Sequence, residues 1–214
     1  MKALPKPHKR NATYQDVLDA PEHKVAELLD GDLYLFPRPA PMHAMAEAAL
    51  TAELMTRFQF GRGGPGGWWI LSEPELHFFR RTAGKRYRQI CVPDLAGWRR
   101  ERLPEIPERE AFFRVAPDWL CEVLSPGTHR IDRIKKLPIY AAVGVPWVWF
   151  VDPRDRRLDV HRRVGRTWEL VATHRGNARV RVEPFADVIL QLSRLWEGRP
   201  PVRANEPGAA YEQL

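Results

Sequence analysis

The sequence predicts an α/β (α+β) fold, a mixed central sheet flanked by helices. Three observations carry that expectation. Short apolar runs separated by turn residues pair as hairpins. One long segment rich in Ala, Leu, Met and Glu comes early in the chain and reads as a helix. A second helical segment follows the apolar run that holds Glu122, and helices of this kind flank a sheet.

The elements follow in order. Residues 1–12 read as a basic, proline-containing, flexible arm. "TYQDVLDA" begins with Thr13, a good N-cap, and predicts a short helix. In "HKVAELLDGDLYLFPRP", Asp30-Gly31 between two apolar segments is a hairpin signal. "MHAMAEAALTAELMTRFQF" is the long helix, and its Met/Ala/Leu stripe is assigned to the core. "GRGGPGG" (61–67) is a loop without the Gly-Lys-Ser/Thr of a phosphate loop. Strands are expected around 69–72, 76–80 and 87–97. "ERLPEIPERE" is a charged, proline-broken connector. The strand "DWLCEVLSP" follows, then a helix over about 129–143 and the strand "VPWVWFVDP". "RLDVHRR" and "TWELVATHR" form a hairpin, and "NARVRVEPFADVIL" adds a further strand. The folded domain is expected over 13–197, with 198–214 a disordered tail.

Composition excludes several classes. The 214 residues include 44% hydrophobic and 10% aromatic side chains, enough for a buried core. The longest apolar stretch, Ile139 to Val151, contains Gly144 and Pro146 and is too short to span a bilayer. "MKALPKPHKR" has no apolar run behind its charges, so no secretory signal is read and the protein is expected in the cytoplasm, not at a membrane. Two cysteines, Cys91 and Cys121, form no zinc or disulfide pattern and are taken as small core residues facing away from the carboxylates. A net charge of +7 favours a polyanionic partner such as DNA.

Glu122 interrupts an apolar strand, where an ionised carboxylate is costly without compensation. "CVPDLAGW" places Asp94 in a second apolar strand. Neighbouring strands lie about 4.8 Å apart, so the two acids can meet and would repel unless a cation lies between them. Mg²⁺ suits such oxygen ligands and retains waters, one of which can attack a phosphodiester. A competing Pro-Asp pair ends at Asp118, but four residues along a strand span roughly 13 Å, too far to share an ion with Glu122.

The helix after Glu122 carries Asp132, Lys136 and Tyr140 on one face by their spacing of four. Lys136 either reaches back to the carboxylates or forms a surface pair with Asp132. Pro138 costs about 3 kcal/mol inside a helix, so the helix is kinked there or starts later. Glu27 in "VAELLDG" and His43 at the head of the long helix are open to structural or supporting roles. Arg80, Arg81, Lys85, Arg86 and Arg88 cluster on one hairpin. They form either a solvated tip or a DNA-backbone contact.

Taken together, "ELLDG", "VPDLAGW", "EVLSP", the Asp132–Lys136–Tyr140 helix and "VDP" resemble the Uma-two family, restriction-endonuclease-like proteins of the PD-(D/E)XK nuclease superfamily. The resemblance runs from about Thr13 to Val171. It implies a restriction-endonuclease-like fold and a Mg²⁺-dependent endonuclease site in which Mn²⁺ substitutes. Asp94 matches the motif aspartate and Glu122 the motif acid, the implied metal ligands. Leu124 stands where the usual motif lysine would be, and Lys136 matches the lysine this family carries on the next helix. Glu27 matches the acid of the family's first segment, and His43, Asp132 and Tyr140 match supporting positions.

The expected function is therefore Mg²⁺-dependent hydrolysis of DNA phosphodiester bonds. A catalytically silent nucleic-acid-binding protein, or an oligomeric scaffold on the same fold, is the alternative. The stretch "VPWVWFV" serves as core or as a homodimer surface.

Overall fold

Two sheets meet along one seam in the computed structural model of the protein, which describes residues 4–82 and 84–197. The short helix α1 (Tyr14–Leu18) leads into β1 (Lys24–Leu29) and β2 (Asp32–Pro37). Helix α2 (Pro41–Leu54) runs on into a π-helical turn, Met55–Gln59. Then come β3 (Trp68–Ser72), β4 (Leu76–Thr82), β5 (Lys85–Cys91) and β6 (Leu95–Arg99). After the connector lies β7 (Trp119–Val123). The next helix has three parts: α3 (His129–Ile131), a π-helical turn Asp132–Lys136, and α4 (Leu137–Val143). The chain ends with β8 (Trp147–Asp152), β9 (Arg157–Val164), β10 (Thr167–Arg175), the short pair β11 (Arg179–Val180) and β12 (Leu190–Gln191), and a 3₁₀ turn, Leu192–Trp196.

The larger sheet has the order β10-β9-β8-β7-β6-β3, and the smaller β2-β1-β5-β4. Among the described strands only β7 and β8 run parallel, with Glu122 paired to Phe150, so the larger sheet is mixed as expected. The helix between them is the crossover that a parallel pair requires. Among the described residues no helix is long and apolar enough to cross a membrane.

Strand alternation divides the core in two. Trp119, Cys121, Val123, Trp149 and Val151 face one cluster, against Leu50 and Phe58 of the α2 segment and Phe185. Leu120, Val148 and Phe150 face the other, against Ile139 and Tyr140 of α4 and Leu29 and Phe78 of the smaller sheet. Each fully buried large side chain contributes on the order of 1.5–3 kcal/mol. The "VPWVWFV" stretch lies mostly in β8, an inner strand. Val148, Trp149, Phe150 and Val151 are buried on both of its faces, so these four residues are core.

Three local expectations change. The run 87–97 is two strands rather than one, because Pro93 supplies no N–H for a ladder and the chain crosses there from the smaller sheet to the larger. Asp94 therefore lies just before β6 rather than within a strand. Cys91 does not face away from the carboxylates, since it packs in the cluster with Tyr140 and Ile139. Cys121 does face away from Glu122. Part of the expected arm is tied down: the backbone N–H of His8 donates to Leu33 O at 2.8 Å, and Lys9 pairs with Asp16 at 2.5 Å. Residues 1–3 and the expected tail from Gly198 lie outside the described residues.

The Asp30-Gly31 hairpin forms as the sequence signals. Both residues hold positive φ, 53° and 86°, as a type I′ turn requires. A Cβ on Gly31 would stand 2.7 Å from Tyr87 Cδ1. Gly31→Ala should destabilise the fold by about 1–3 kcal/mol, read as a lower urea midpoint; an unchanged midpoint would show that Tyr87 moves aside at no cost.

Candidate active site

The seam between the sheets holds the polar centre of the molecule. Glu27 comes from β1, Glu122 from β7, and Asp132, Lys136 and Tyr140 from the helix after β7. All five are nearly fully buried. Lys136 Nζ lies 2.9 Å from Glu122 Oε1, 3.1 Å from Glu27 Oε1 and 3.5 Å from Asp132 Oδ1. Tyr140 donates its hydroxyl to Glu122 Oε1 at 2.7 Å. The backbone N–H of Val92 donates to Glu27 Oε1 at 2.6 Å. Lys136 thus reaches back to the carboxylates and is no surface pair.

The helix achieves this reach through its π turn. The Leu137 N–H donates to Asp132 O, five residues back, and Pro138 follows at the start of α4. The wider turn carries the helix past a proline that could not donate an ordinary helical hydrogen bond. The helix begins before Pro138 and continues beyond it, so Lys136 stays on the face of Asp132 and Tyr140.

Asp94 sits opposite Glu122. Leu95 pairs with Cys121 in the antiparallel β6–β7 register, which places the next residues of each strand, Asp94 and Glu122, across from one another. Asp94 Oδ2 accepts the Val123 N–H at 2.5 Å. Its Oδ1 faces His43 Nε2 at 3.2 Å. Glu47, one turn along α2 from His43, brings Oε2 to 4.0 Å from His43 Nδ1. Ligand atoms of His43, Glu47 and Asp94 all lie within 4.8 Å of one another.

The electrostatics separate inner and outer groups. Burial pushes Glu27 and Glu122 up from the usual carboxylate range, against the pull of Lys136. Asp132 rises to about 7, mainly through burial. Burial alone would lower Lys136, but Glu122, Glu27 and Asp132 outweigh it and hold the ammonium well above its ordinary value. Glu47 is pushed up to about 7 by burial and by the nearby charges of Asp94 and Glu73. Burial would lower His43, yet its hydrogen bond to Asp94 and the charges of Asp94 and Glu47 raise it overall. Both cysteine thiols are raised far by burial and hold no thiolate here.

Every interior residue proposed from the sequence comes together: Glu27, His43, Asp94, Glu122, Asp132, Lys136 and Tyr140. The arginine-rich hairpin does not. Its tip is the β4–β5 turn, about 20 Å along β5 from the seam at a strand rise of about 3.3 Å per residue. Arg80 is paired to Asp30 at 3.1 Å, and Arg86 stacks on Phe79 at 4.0 Å. Arg81, Lys85, Arg86 and Arg88 are exposed. Asp118, the rejected alternative, has a structural role: it accepts the Arg99 N–H at 2.9 Å and pairs with Arg102 at 2.5 Å. Glu47 is the residue the sequence reading missed. Its signal was the helical spacing of four from His43, hidden within a stripe assigned to the core.

A cleft of about 350 Å³ opens beside His43, between the head of α2 and the loops after β7 and β8. His129, Arg133, Arg154 and Arg157 contribute to its lining. It lies at the carboxyl ends of the two parallel strands, the usual place for a ligand in a sheet of this kind.

Comparison with known proteins places this geometry in context. The Uma2 family model, described as "Putative restriction endonuclease", matches residues 12–193. The crystal structure of a "putative nuclease" from Anabaena variabilis ATCC 29413 superposes with a TM-score of 0.66 and 23% identity, covering 86% of this chain and 97% of that one. At that identity the likeness shows a shared fold. No curated protein matches the chain.

Asp132 leads to a pH dependence. Its folded value of about 7 lies above the ordinary 3.8, so the folded state binds the extra proton. Stability attributable to this group is present at low pH and is lost as pH rises toward about 7. Asp132→Asn should therefore flatten the decline in unfolding free energy between about pH 4 and 7. Parallel pH profiles for wild type and variant would refute this origin of the slope.

Proposed function

Because the chain belongs to the Uma2 family, described as "Putative restriction endonuclease", we propose that it is a Mg²⁺-dependent endonuclease hydrolysing DNA phosphodiester bonds. The observation that carries this reading is the Lys136 ammonium buried among Glu27, Glu122 and Asp132 beside Asp94. Replacing a buried ion cluster with apolar packing is often neutral or stabilising, so stability alone gives little reason to keep one. Titratable groups perturbed by burial and placed next to a cleft mark a functional site.

The donors fit a hard divalent ion. Asp94 and Glu122 supply carboxylate oxygens across one strand pair, and the chemistry of those oxygens suits Mg²⁺ or Mn²⁺. When bound, the ion polarises a phosphoryl oxygen and lowers the pKa of a coordinated water. The protein's own groups do the rest. The Val123 N–H fixes one oxygen of Asp94 and leaves the other facing out of the strand pair. Tyr140 and Lys136 hold Glu122 in place. Lys136 is the charge that stabilises the phosphorane-like transition state or orients the attacking water. Glu27 supports it and ties β1 to the Val92–Asp94 segment. His43, Asp132 and Tyr140 are supporting groups, and the cleft beside His43 admits the phosphodiester. In this reading the protein acts in the cytoplasm on a DNA partner, which its exposed Arg81, Lys85, Arg86 and Arg88 engage through the backbone.

One observation favours a second reading. Glu122 already has both Lys136 and Tyr140 as partners, as a structural acid would. The alternative is a silent DNA-binding module in which the same hairpin binds the backbone.

Strand cleavage of plasmid DNA with Mg²⁺ or Mn²⁺ separates the two. Asp94→Asn and Lys136→Ala should each lower the rate by about 10²–10³-fold, with circular dichroism confirming the fold. Wild-type DNA binding without metal-dependent cleavage would sink the enzyme and leave the silent module. Replacing Arg81, Lys85, Arg86 and Arg88 with serine should reduce the salt dependence of DNA affinity by up to about 0.9 log units per lost phosphate contact; an unaltered slope would remove the hairpin from the interface.

A further inference from the structure

The acids of the seam fall into two groups that differ in how their charge is balanced. Glu27, Glu122 and Asp132 surround the Lys136 ammonium at 3.5 Å or less. Asp94 and Glu47 lie outside that shell, and the ionic partner they share is the imidazole of His43. The Glu47 side chain is only 13% exposed and that of Asp94 16%. Two carboxyl groups of low exposure thus converge on one imidazole, away from the Lys136 ammonium.

His43 supplies an independent observation. Its side chain is 10% exposed, and Nδ1 is buried with no hydrogen-bond partner although it points toward Glu47. A buried polar atom without a partner calls for an explanation such as an ion or water. The ligand atoms of all three residues lie within 4.8 Å of one another, close enough to converge on one ion by small side-chain rotations. Pro41 starts α2 two residues before His43 and fixes its first turn, so His43 and Glu47 are presented from a rigid element.

We propose that helix α2 supplies metal ligands in this chain: His43 and Glu47 hold the divalent ion together with Asp94. The inference rests on the metal-dependent reading above and deepens it. Glu122 is drawn inward by Lys136 and Tyr140, while Asp94 and Glu47 lie against His43, which lines the cleft. A nitrogen donor in the set favours Mn²⁺ or another transition metal more than an all-oxygen site does.

Mn²⁺ alone is the probe. Calorimetric titration of Mn²⁺ into the full chain, with and without a DNA duplex, gives affinities for wild type, Glu47→Gln, His43→Gln and Glu122→Gln. Pulsed electron paramagnetic resonance of the bound Mn²⁺ reads ¹⁴N coupling, which an imidazole ligand produces and carboxylates do not. Wild type should show that coupling, His43→Gln should lose it, and Glu47→Gln should bind at least about tenfold more weakly. Thermal melts confirm that each variant folds. Bound Mn²⁺ without ¹⁴N coupling, and with affinity unchanged in Glu47→Gln but lost in Glu122→Gln, overturns the α2 ligands and leaves the nuclease reading intact. Absence of Mn²⁺ binding at millimolar concentration also overturns the proposal. Cleavage that still depends on Asp94 would then keep the nuclease reading apart from it.

Discussion

The ammonium of Lys136 lies within 3.5 Å of three carboxylates that come from three elements. Glu27 belongs to the smaller sheet, Glu122 to the larger, and Asp132 to the helix that bridges two strands of the larger sheet. One cation therefore joins both sheets and the crossover helix. Removing it would leave three acids buried without their cation, and breaking such a cluster costs about 3–5 kcal/mol. The apolar clusters on either side of β7 and β8 give the fold enough burial to tolerate that cluster.

Strand β7 carries much of this arrangement in five residues. Trp119, Cys121 and Val123 build one core, while Leu120 and Glu122 turn to the other. A shift of one residue would send Glu122 into the tryptophan-rich side against Trp149 and Phe185, where it would lose Lys136 and Tyr140. The register is held by pairing to β6 on one edge and to β8 on the other. The Val123 N–H, bonded to Asp94, makes the position of the outer acid depend on the same register.

Much of this was legible in the sequence, for identifiable reasons. The mixed sheet followed from hairpin signals and the helix after Glu122. Glu27 and Glu122 stood out because each interrupts an apolar run, and buried charge is rare enough to notice. Lys136 and its neighbours were readable from helical spacing, although Pro138 obscured whether the helix continued. The crossing at Pro93 was hidden because Cys91, Val92 and Leu95, Ala96 look like one apolar strand; only the tertiary arrangement shows that they serve two sheets. Glu47 was hidden for the opposite reason. An acid in an Ala- and Glu-rich helix is ordinary, and its partner Asp94 arrives from a segment about fifty residues later.

The backbone irregularities near the seam have a common effect. Asp30 and Gly31 take positive φ and close the hairpin that presents Glu27 on β1. Pro93 ends β5 pairing, and the chain turns Asp94 toward Val123 and His43. The π turn at Asp132–Lys136 carries the helix through to Pro138 with Lys136 still facing inward. Regular elements alone would bring the strands together but would not converge five ionisable side chains from separate segments on one seam. Each departure spends regular hydrogen bonding or backbone freedom at a position where a charged group must be aimed. That coincidence is the pattern expected when local structure is subordinated to a site.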